Sequence, residues 1–183
     1  MNIMILAFNT FLKNDEFSDY SIHSICRYTQ MGFKPKINIC QHYSLAGLKK
    51  NQICFHNTLQ VLKKYKGQDL LISEDDTYIN KTYNELVDIL EPYKDGIVRV
   101  VWQKKHKNKL GSNGYYYIGC QLIYIPKEYQ DHFIEVMEST KPQHLDCWFS
   151  KCKNIKHIVI ESCGGELEHY SEILGKVRRG YLP

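Results

Sequence analysis

The sequence predicts an α/β fold in which a mostly parallel sheet carries helices on both faces. Short apolar runs rich in β-branched residues alternate along the chain with segments of helical periodicity. A length of 183 residues is enough for one sizeable core, and 43% hydrophobic with 24% charged residues is ordinary for a globular protein. We therefore expect a single domain over residues 1–183.

Apolar runs typical of buried strands recur throughout this domain. They are Ile3 to Phe8, "KINIC" at 36–40, "DLLIS" at 69–73, "IVRVVW" at 97–102 and "HIVIE" at 157–161. The aromatic-rich stretch "YYYIGCQLIYI" at 115–125 predicts a further strand or a hairpin.

Helical periodicity separates these strands. It occurs over 17–31, over 55–65 with apolar residues at steps of four, three and three, after Thr82, and around Phe133. Asn14 and Asp15 are candidate caps for the first helix, whereas Thr82 and Glu85 have the spacing of a capping box.

Charge, cysteine usage and hydropathy restrict the class of protein. A net charge of +4 permits a polyanionic partner without requiring one. The seven cysteines contain no C-x-x-C pair, which argues against a disulfide framework or a structural zinc site. The apolar start lacks the basic region and cleavage site of a signal peptide, and no stretch reaches the about 20 apolar residues of a membrane span. We expect a cytoplasmic protein.

The stretch "LLISEDDTYIN", residues 70–80, runs from a predicted buried strand straight into Glu74, Asp75 and Asp76. In open α/β sheets, ligands bind beyond the carboxyl ends of strands. Because alternate side chains of an extended segment point the same way, Glu74 and Asp76 are able to converge on Mg²⁺ or Mn²⁺ while Asp75 turns elsewhere. A bound dication would remove the repulsion between the carboxylates. The alternative is a solvated acidic loop.

Three segments stand in order over residues 50–150: "CFHNTLQVLKKYKGQDLLISEDDTYI", "GYYYIGCQLIYIPKEYQDHFIEVM" and "KPQHLDCWF". In order and spacing they resemble the lipopolysaccharide-type and procollagen-type glycosyltransferases. The first resembles that family's helix followed by a strand ending in Glu-Asp-Asp. The second is similar to its glycine, aromatic strand and helix, and the third to its element with a proline followed by an aspartate. The chain departs from the family at His56-Asn57, where Ser-His is expected.

The resemblance implies a GT-A fold and a metal-dependent glycosyltransferase that uses a nucleotide-sugar donor, with a UDP-sugar preferred. It implies that Asp76 contacts Mn²⁺ or Mg²⁺ directly. Glu74 would hold the metal through water or contact the donor ribose, and Asp75 would contact the sugar. Asn9 and Thr10 follow the first strand, where GT-A folds seat the nucleotide. A polar turn is the alternative for these two residues.

Further roles implied by the resemblance lie in the second half of the chain. Asp146 is the candidate general base of an inverting reaction, a positioning group in a retaining one, or else a helix cap. His169 is the candidate late metal ligand, with His157 as a competitor and a surface histidine as the alternative. Candidate diphosphate clamps, unless they form a solvated basic terminus, are Lys176, Arg178 and Arg179.

Alternatives remain open for the acceptor and for the reaction. The lysine-rich, glycine-containing segment "QKKHKNKLGSNG" at 103–114 is either a lid over the donor or a phosphate-binding patch for hydroxymethylated DNA. A saccharide or glycoconjugate acceptor is favoured. The rival functions are a metal-dependent phosphoryl-transfer enzyme and a nucleic-acid-binding or interaction module without activity.

Overall fold

The computed structural model describes residues 4–12, 15–40, 47–49, 52–101, 122–149, 151–160 and 163–166. The strands in these residues are β1 (Ile5–Thr10), β2 (Lys36–Ile39), β3 (Leu70–Ser73), β4 (Thr77–Ile79), β5 (Ile97–Val101), β6 (Leu122–Ile125), β7 (His157–Val159) and β8 (Gly164–Glu166). The α-helices are α1 (Asp19–Gln30), α2 (Ile53–Lys64), α3 (Tyr83–Leu90), α4 (Gln130–Glu138) and α5 (Leu145–Phe149).

The main sheet has six strands in the order β2-β1-β3-β6-β5-β7. All neighbours are parallel except β6, which runs antiparallel to both β3 and β5. This confirms the predicted α/β class with a mostly parallel sheet. The chain goes from β1 to β2 on one side and then returns to β3 on the other side. The carboxyl ends of β1 and β3 therefore form a topological switch point, where α/β folds bind ligands.

The two faces of the sheet are packed against different helices. Because side chains alternate along a strand, Leu71 of β3 packs with Tyr28 of α1 and Leu86 of α3. Leu70 and Ile72 of the same strand pack on the opposite face, where α2, α4 and α5 contribute Phe55, Phe133 and Phe149. This arrangement confirms the prediction of helices on both faces.

The observed helix caps contradict the cap predicted for α1 and confirm the one predicted for α3. Asp15 does not cap α1, because it lies in a turn at φ 64°, whereas the extended residue Ser18 accepts the N–H of Ser21 at 3.2 Å. Asn14 lies outside the described residues. The capping box of α3 is confirmed: Thr82 Oγ1 accepts the N–H of Glu85 at 3.3 Å, and Glu85 Oε2 accepts the N–H of Thr82 at 2.8 Å.

Two short antiparallel strands were not predicted from the sequence. β4 follows the acidic triplet directly and pairs with β8, with Thr77 opposite Glu166 and Ile79 opposite Gly164. The N–H of Asn80 also donates to the carbonyl of Cys163 at 3.0 Å. This pairing fixes the path by which the chain leaves the triplet.

The antiparallel strand β6 begins at the edge of the sheet where β1 and β3 end. Leu122, its first residue, pairs with both Ser73, the last residue of β3, and Val101, the last residue of β5. Val101 and Leu122, the described residues on either side of 102–121, therefore lie at the edge of the sheet that carries the acidic triplet.

In the portion of the chain that the structure describes, no helix combines the length and the apolar composition that crossing a bilayer requires.

Candidate functional site

The acidic triplet lies just beyond the centre of the sheet. All four residues of β3 are buried, because the strand is covered on both faces and paired with β1 and β6. At its end, Ser73 Oγ lies 2.8 Å from the buried Tyr28 hydroxyl and donates to the carbonyl of Glu74 at 2.8 Å. The chain turns at Asp75 and Asp76 and then enters β4. The carboxylates thus directly follow the carboxyl end of a fully buried central strand.

Asp75 is bound by hydroxyl groups of two neighbouring elements. Thr10 Oγ1 at the end of β1 and Ser21 Oγ in α1 donate to Asp75 Oδ2 at 3.1 and 3.3 Å. Ser24 Oγ donates to the Asp75 main-chain carbonyl at 3.0 Å. Burial raises the pKa of Asp75, and the bonds from Thr10 and Ser21 only partly oppose this shift. The network ties the triplet to β1 and α1.

A cavity of about 180 Å³, which we call the acidic cavity, opens between the triplet and α2. It is lined by Asn9, Phe11, Cys40, Cys54, Asn57, Thr58, Ile72, Glu74, Asp75, Asp76, Ile123 and Leu145. These residues come from the ends of β1, β2 and β3, from the start of α2, and from β6 and α5. The cavity therefore occupies the topological switch point at the carboxyl ends of β1 and β3.

The acidic cavity favours cations. No lysine or arginine is among its described lining residues. Burial, followed by the charges of Asp75 and Glu74, raises the pKa of Cys40 to about 12. Desolvation against the cavity wall, followed by the charges of Glu74 and Asp146, also raises the pKa of Cys54, although the residue as a whole is exposed. Both thiols are thus protonated near neutral pH and are poor nucleophiles.

The donor atoms of the acidic cavity fit Mg²⁺ or Mn²⁺. Glu74, Asp75 and Asp76 offer carboxylate oxygens, which these hard cations prefer. Within the described ranges, no group of three or more His, Cys, Asp or Glu side chains is arranged to hold a metal by itself. Mg²⁺ at phosphate-binding sites commonly takes one or two carboxylates and completes its shell with substrate phosphates and water. The residues present match that pattern.

Asn9 lies in the acidic cavity, whereas Thr10 is engaged elsewhere. Asn9 Oδ1 accepts a hydrogen bond from Asn38 Nδ2 at 2.9 Å across β1 and β2. The Thr10 hydroxyl is buried, 2.7 Å from Ser21 Oγ, and donates to Asp75. Thr10 therefore holds the triplet in place through its hydrogen bond to Asp75. This contact was not predicted from the sequence.

The structure brings Asp146 near the cavity and places His157 far from it. Asp146 is the second residue of α5, half-buried, and its charge acts on the thiol of Cys54. His157 begins β7 and pairs with Ile97, the first residue of β5. It therefore lies at the amino ends of the strands, opposite the triplet.

The remaining predicted site residues lie outside the described residues. They are His169, Lys176, Arg178, Arg179 and the lysine-rich segment 103–114.

Sequence reasoning missed the contribution of α2. Cys54, Asn57 and Thr58 stand at positions i, i+3 and i+4 of this helix, so they share one face, and that face lines the acidic cavity. Asn57 is 5% exposed, and its Nδ2 has no hydrogen-bond partner among the described residues. The available signal was the pair of polar residues Asn57 and Thr58 one helical turn before the buried Val61 and Leu62.

No family model matches this chain, and no curated protein matches it either. Among solved structures, the chain is similar to a glycosyltransferase involved in the glycosylation of the major capsid of PBCV-1. The two share 14% sequence identity with a TM-score of 0.53, over 85% of this chain and 81% of that chain. At this identity the likeness shows a common fold, namely a glycosyltransferase-like α/β fold.

Proposed function

We propose that the protein is a glycosyltransferase that binds a nucleotide-sugar donor through Mn²⁺ or Mg²⁺ at the acidic triplet. The observation that carries the proposal is the position of Glu74, Asp75 and Asp76. They line a cavity at the switch point between β1 and β3, in a fold shared with a glycosyltransferase. A UDP-sugar is the preferred donor, because the chain's sequence resembles enzymes of this type.

Charge explains why a cation belongs to the proposal. A nucleoside diphosphate is an anion, and the described wall of the cavity offers it carboxylates but no lysine or arginine. Two like charges 4 Å apart repel by about 4 kcal/mol at an effective dielectric constant of 20. A bound dication would turn this repulsion into attraction and would stabilise the negative charge that develops on the departing diphosphate.

The chain's own residues then have distinct tasks. Asp76 and Glu74 would hold the cation, and Asp75, fixed by Thr10 and Ser21, would contact the sugar. Asn9 would contact the nucleotide at the end of β1. His169 remains a candidate metal ligand, and the basic residues at 176, 178 and 179 remain candidate diphosphate clamps.

Asp146 is the proposed general base on the acceptor side. If the reaction inverts the anomeric centre, its carboxylate takes the proton of the acceptor hydroxyl as the new glycosidic bond forms. Its neighbour Leu145 lines the acidic cavity, and the charge of Asp146 acts on the thiol of Cys54 in the wall formed by α2, which supports this role.

We favour a saccharide or glycoconjugate acceptor over hydroxymethylated DNA. The described lining of the cavity is acidic, which repels a phosphate backbone, and the net charge of +4 is modest. Filter binding of plain and hydroxymethylated duplexes over a salt series tests this preference. Tight binding with a steep salt dependence, lost when Lys104, Lys105, Lys107 and Lys109 are replaced by alanine, would contradict it.

A thermal-shift screen of nucleotide sugars with and without Mn²⁺ tests the proposed function. A ligand at 100 times its dissociation constant adds about 2.7 kcal/mol of stability, which raises the melting temperature by roughly 5–10 °C for a domain of this size. We expect such a rise for at least one nucleotide sugar, and only with a divalent cation. Absence of any cation-dependent shift across the donors, or Mn²⁺-dependent cleavage of nucleic acid instead, would contradict the proposal.

A further inference from the structure

The amide of Asn57 is the most unusual polar group of the acidic cavity. The residue is 5% exposed and lines the cavity, yet Nδ2 makes no hydrogen bond with any residue that the structure describes. Carboxylates are the acceptors that an amide N–H prefers, and three of them line the same cavity. The amide is therefore held apart from Glu74, Asp75 and Asp76, and the described residues leave the hydrogen-bonding capacity of its N–H groups unused.

Helix geometry shows that this placement is built into the fold. Asn57 follows Ile53 by one turn of α2 and is one turn from Val61, and both of these neighbours are buried. Asparagine is a poor helix former, and a buried amide without a partner destabilises the native state. A residue that lowers the stability of the native state in this way is typical of functional positions.

The size of the acidic cavity indicates which part of a donor it takes. A cavity of about 150 Å³ holds one benzene molecule, so the about 180 Å³ found here suits a single six-membered ring. A complete nucleoside diphosphate is much larger than this space. Apolar walls at Ile72 and Leu145 face carboxylates and an amide, a combination that suits a sugar ring with its apolar faces and peripheral hydroxyls.

We propose that Asn57 is a specificity-determining residue whose Nδ2 donates a hydrogen bond to a hydroxyl oxygen of the transferred sugar. This inference rests on the proposed function. A sugar hydroxyl is both donor and acceptor: it donates its proton to a carboxylate such as Asp75 and accepts the amide N–H on its oxygen. Asn57 therefore selects for donors with a hydroxyl at that position of the ring.

The experiment compares a nucleotide sugar with its nucleoside diphosphate in the wild type and in Asn57→Leu. Titration calorimetry with Mn²⁺ gives both dissociation constants, with the donor taken from the thermal-shift screen. We expect the variant to bind the nucleotide sugar roughly tenfold to a hundredfold more weakly, because a ligand hydroxyl loses its partner. Affinity for the nucleoside diphosphate should stay within about twofold, because this ligand lacks the sugar.

The stability of the ligand-free protein gives an independent readout. Leucine has nearly the shape of asparagine without the unpaired polar atoms, so Asn57→Leu should melt at the same or a higher temperature than the wild type. A residue with a purely structural role would instead lower the melting temperature. The matched control is Asn80→Leu, which removes another asparagine with an unpartnered amide atom, Oδ1, outside the described cavity lining. It should leave both affinities unchanged.

Asn57→Ala provides a second variant, since it removes the N–H without adding a charge to the acidic cavity. The same selective loss of nucleotide-sugar affinity supports the inference. Equal loss for the nucleoside diphosphate, no loss for either ligand, or failure of both variants to fold overturns it. If the wild type binds no nucleotide sugar with any divalent cation, the proposed function fails as well. Unchanged sugar binding in the variants overturns the inference alone.

Discussion

At the scale of single residues, Asp76 is the first test of the cation site. Asp76→Asn removes one negative charge from a partly exposed turn at a strand end, so we expect the fold to survive. Binding of the nucleoside diphosphate in the presence of Mn²⁺ should weaken at least about tenfold, since each 1.4 kcal/mol lost is a factor of ten. Titration calorimetry with and without Mn²⁺ measures the effect.

The control for this substitution is Asp95→Asn. Asp95 is exposed, pairs with Lys156, and precedes β5 at the amino end of the sheet. Its replacement should leave nucleotide affinity unchanged. Unaltered Mn²⁺-dependent affinity in Asp76→Asn would remove Asp76 from the cation site.

Asp146 belongs to a different step. A general base acts in the transition state, so Asp146→Asn should lower turnover by about 10²- to 10⁴-fold while donor affinity changes little. Steady-state kinetics combined with donor titration separates the two effects. Asp131→Asn is the control, because Asp131 lies in α4, where its ion pair with Lys66 is exposed. Parallel loss of turnover and donor affinity would assign Asp146 to the donor site instead.

Single residues also show which features of the site were predictable from the sequence. The triplet was predictable because an apolar run typical of a buried strand ends directly in three carboxylates. Buried strands rarely contain such charged residues. The contacts of Thr10 and the surroundings of Asn57 were not predictable, because both depend on residues that are distant in the sequence. Thr10 contacts Asp75 across 65 positions of the chain, and the unsatisfied state of Asn57 is a property of its three-dimensional surroundings.

At the scale of elements, the caps of α1 and α3 are chemically alike but connected differently. Thr82 and Glu85 form hydrogen bonds with each other at the start of α3. Ser18 caps α1 and lies 2.9 Å from Ser21 Oγ, which in turn donates to Asp75. The cap of α1 is therefore part of the network that holds the triplet.

Alanine at these two caps should separate stability from binding. Ser18→Ala and Thr82→Ala each remove an N-cap, which costs about 1 kcal/mol of stability and roughly 2–4 °C in melting temperature. Only Ser18→Ala should also weaken Mn²⁺-dependent donor binding, because Ser21 loses one of its partners. Urea unfolding and donor titration of both variants measure these effects. Equal donor affinities in the two variants would show that the α1 network does not support the site.

The elements were predicted unevenly, for physical reasons. The strands of the main sheet and the capping box were visible because burial leaves apolar runs and caps leave fixed spacings. The direction of β6 was not visible, since all four of its residues are buried, as they are in parallel β3. The strands β4 and β8 have three residues each, too few for a periodicity to be recognised.

At the scale of the whole molecule, the edge opposite the acidic cavity carries a buried basic cluster. His157 is 5% exposed at the start of β7, and its ring packs edge-on against Phe149. The guanidinium of the buried Arg99 lies 4.8 Å from the centre of the same phenyl ring. Burial, followed by the charge of Arg99, lowers the pKa of His157 to about 3. The imidazole is thus neutral in the native protein.

This cluster predicts loss of stability in mild acid. The pKa of His157 is lower in the folded state than in the unfolded state, where it is about 6.5, so the unfolded chain takes up a proton first as the pH falls. The contribution of His157 is fully present above about pH 6.5 and declines towards the folded pKa of about 3, by up to about 1.4 kcal/mol per pH unit. His157→Phe should move the midpoint of acid unfolding, followed by circular dichroism, to lower pH.

The matched control is His144→Phe, because His144 is exposed. Its replacement should leave the acid midpoint where it is. An unchanged midpoint in His157→Phe, or an equal shift in both variants, would show that the acid sensitivity lies in other groups.

Val101 and Leu122 are register partners at the edge of the sheet that carries the triplet, and they bracket residues 102–121. Because Val101 and Leu122 are already paired, the register of β5 and β6 is set by the residues on either side of this stretch and not by its length. An insertion or deletion between these two residues is therefore expected to leave the sheet, the triplet and the α2 face in place.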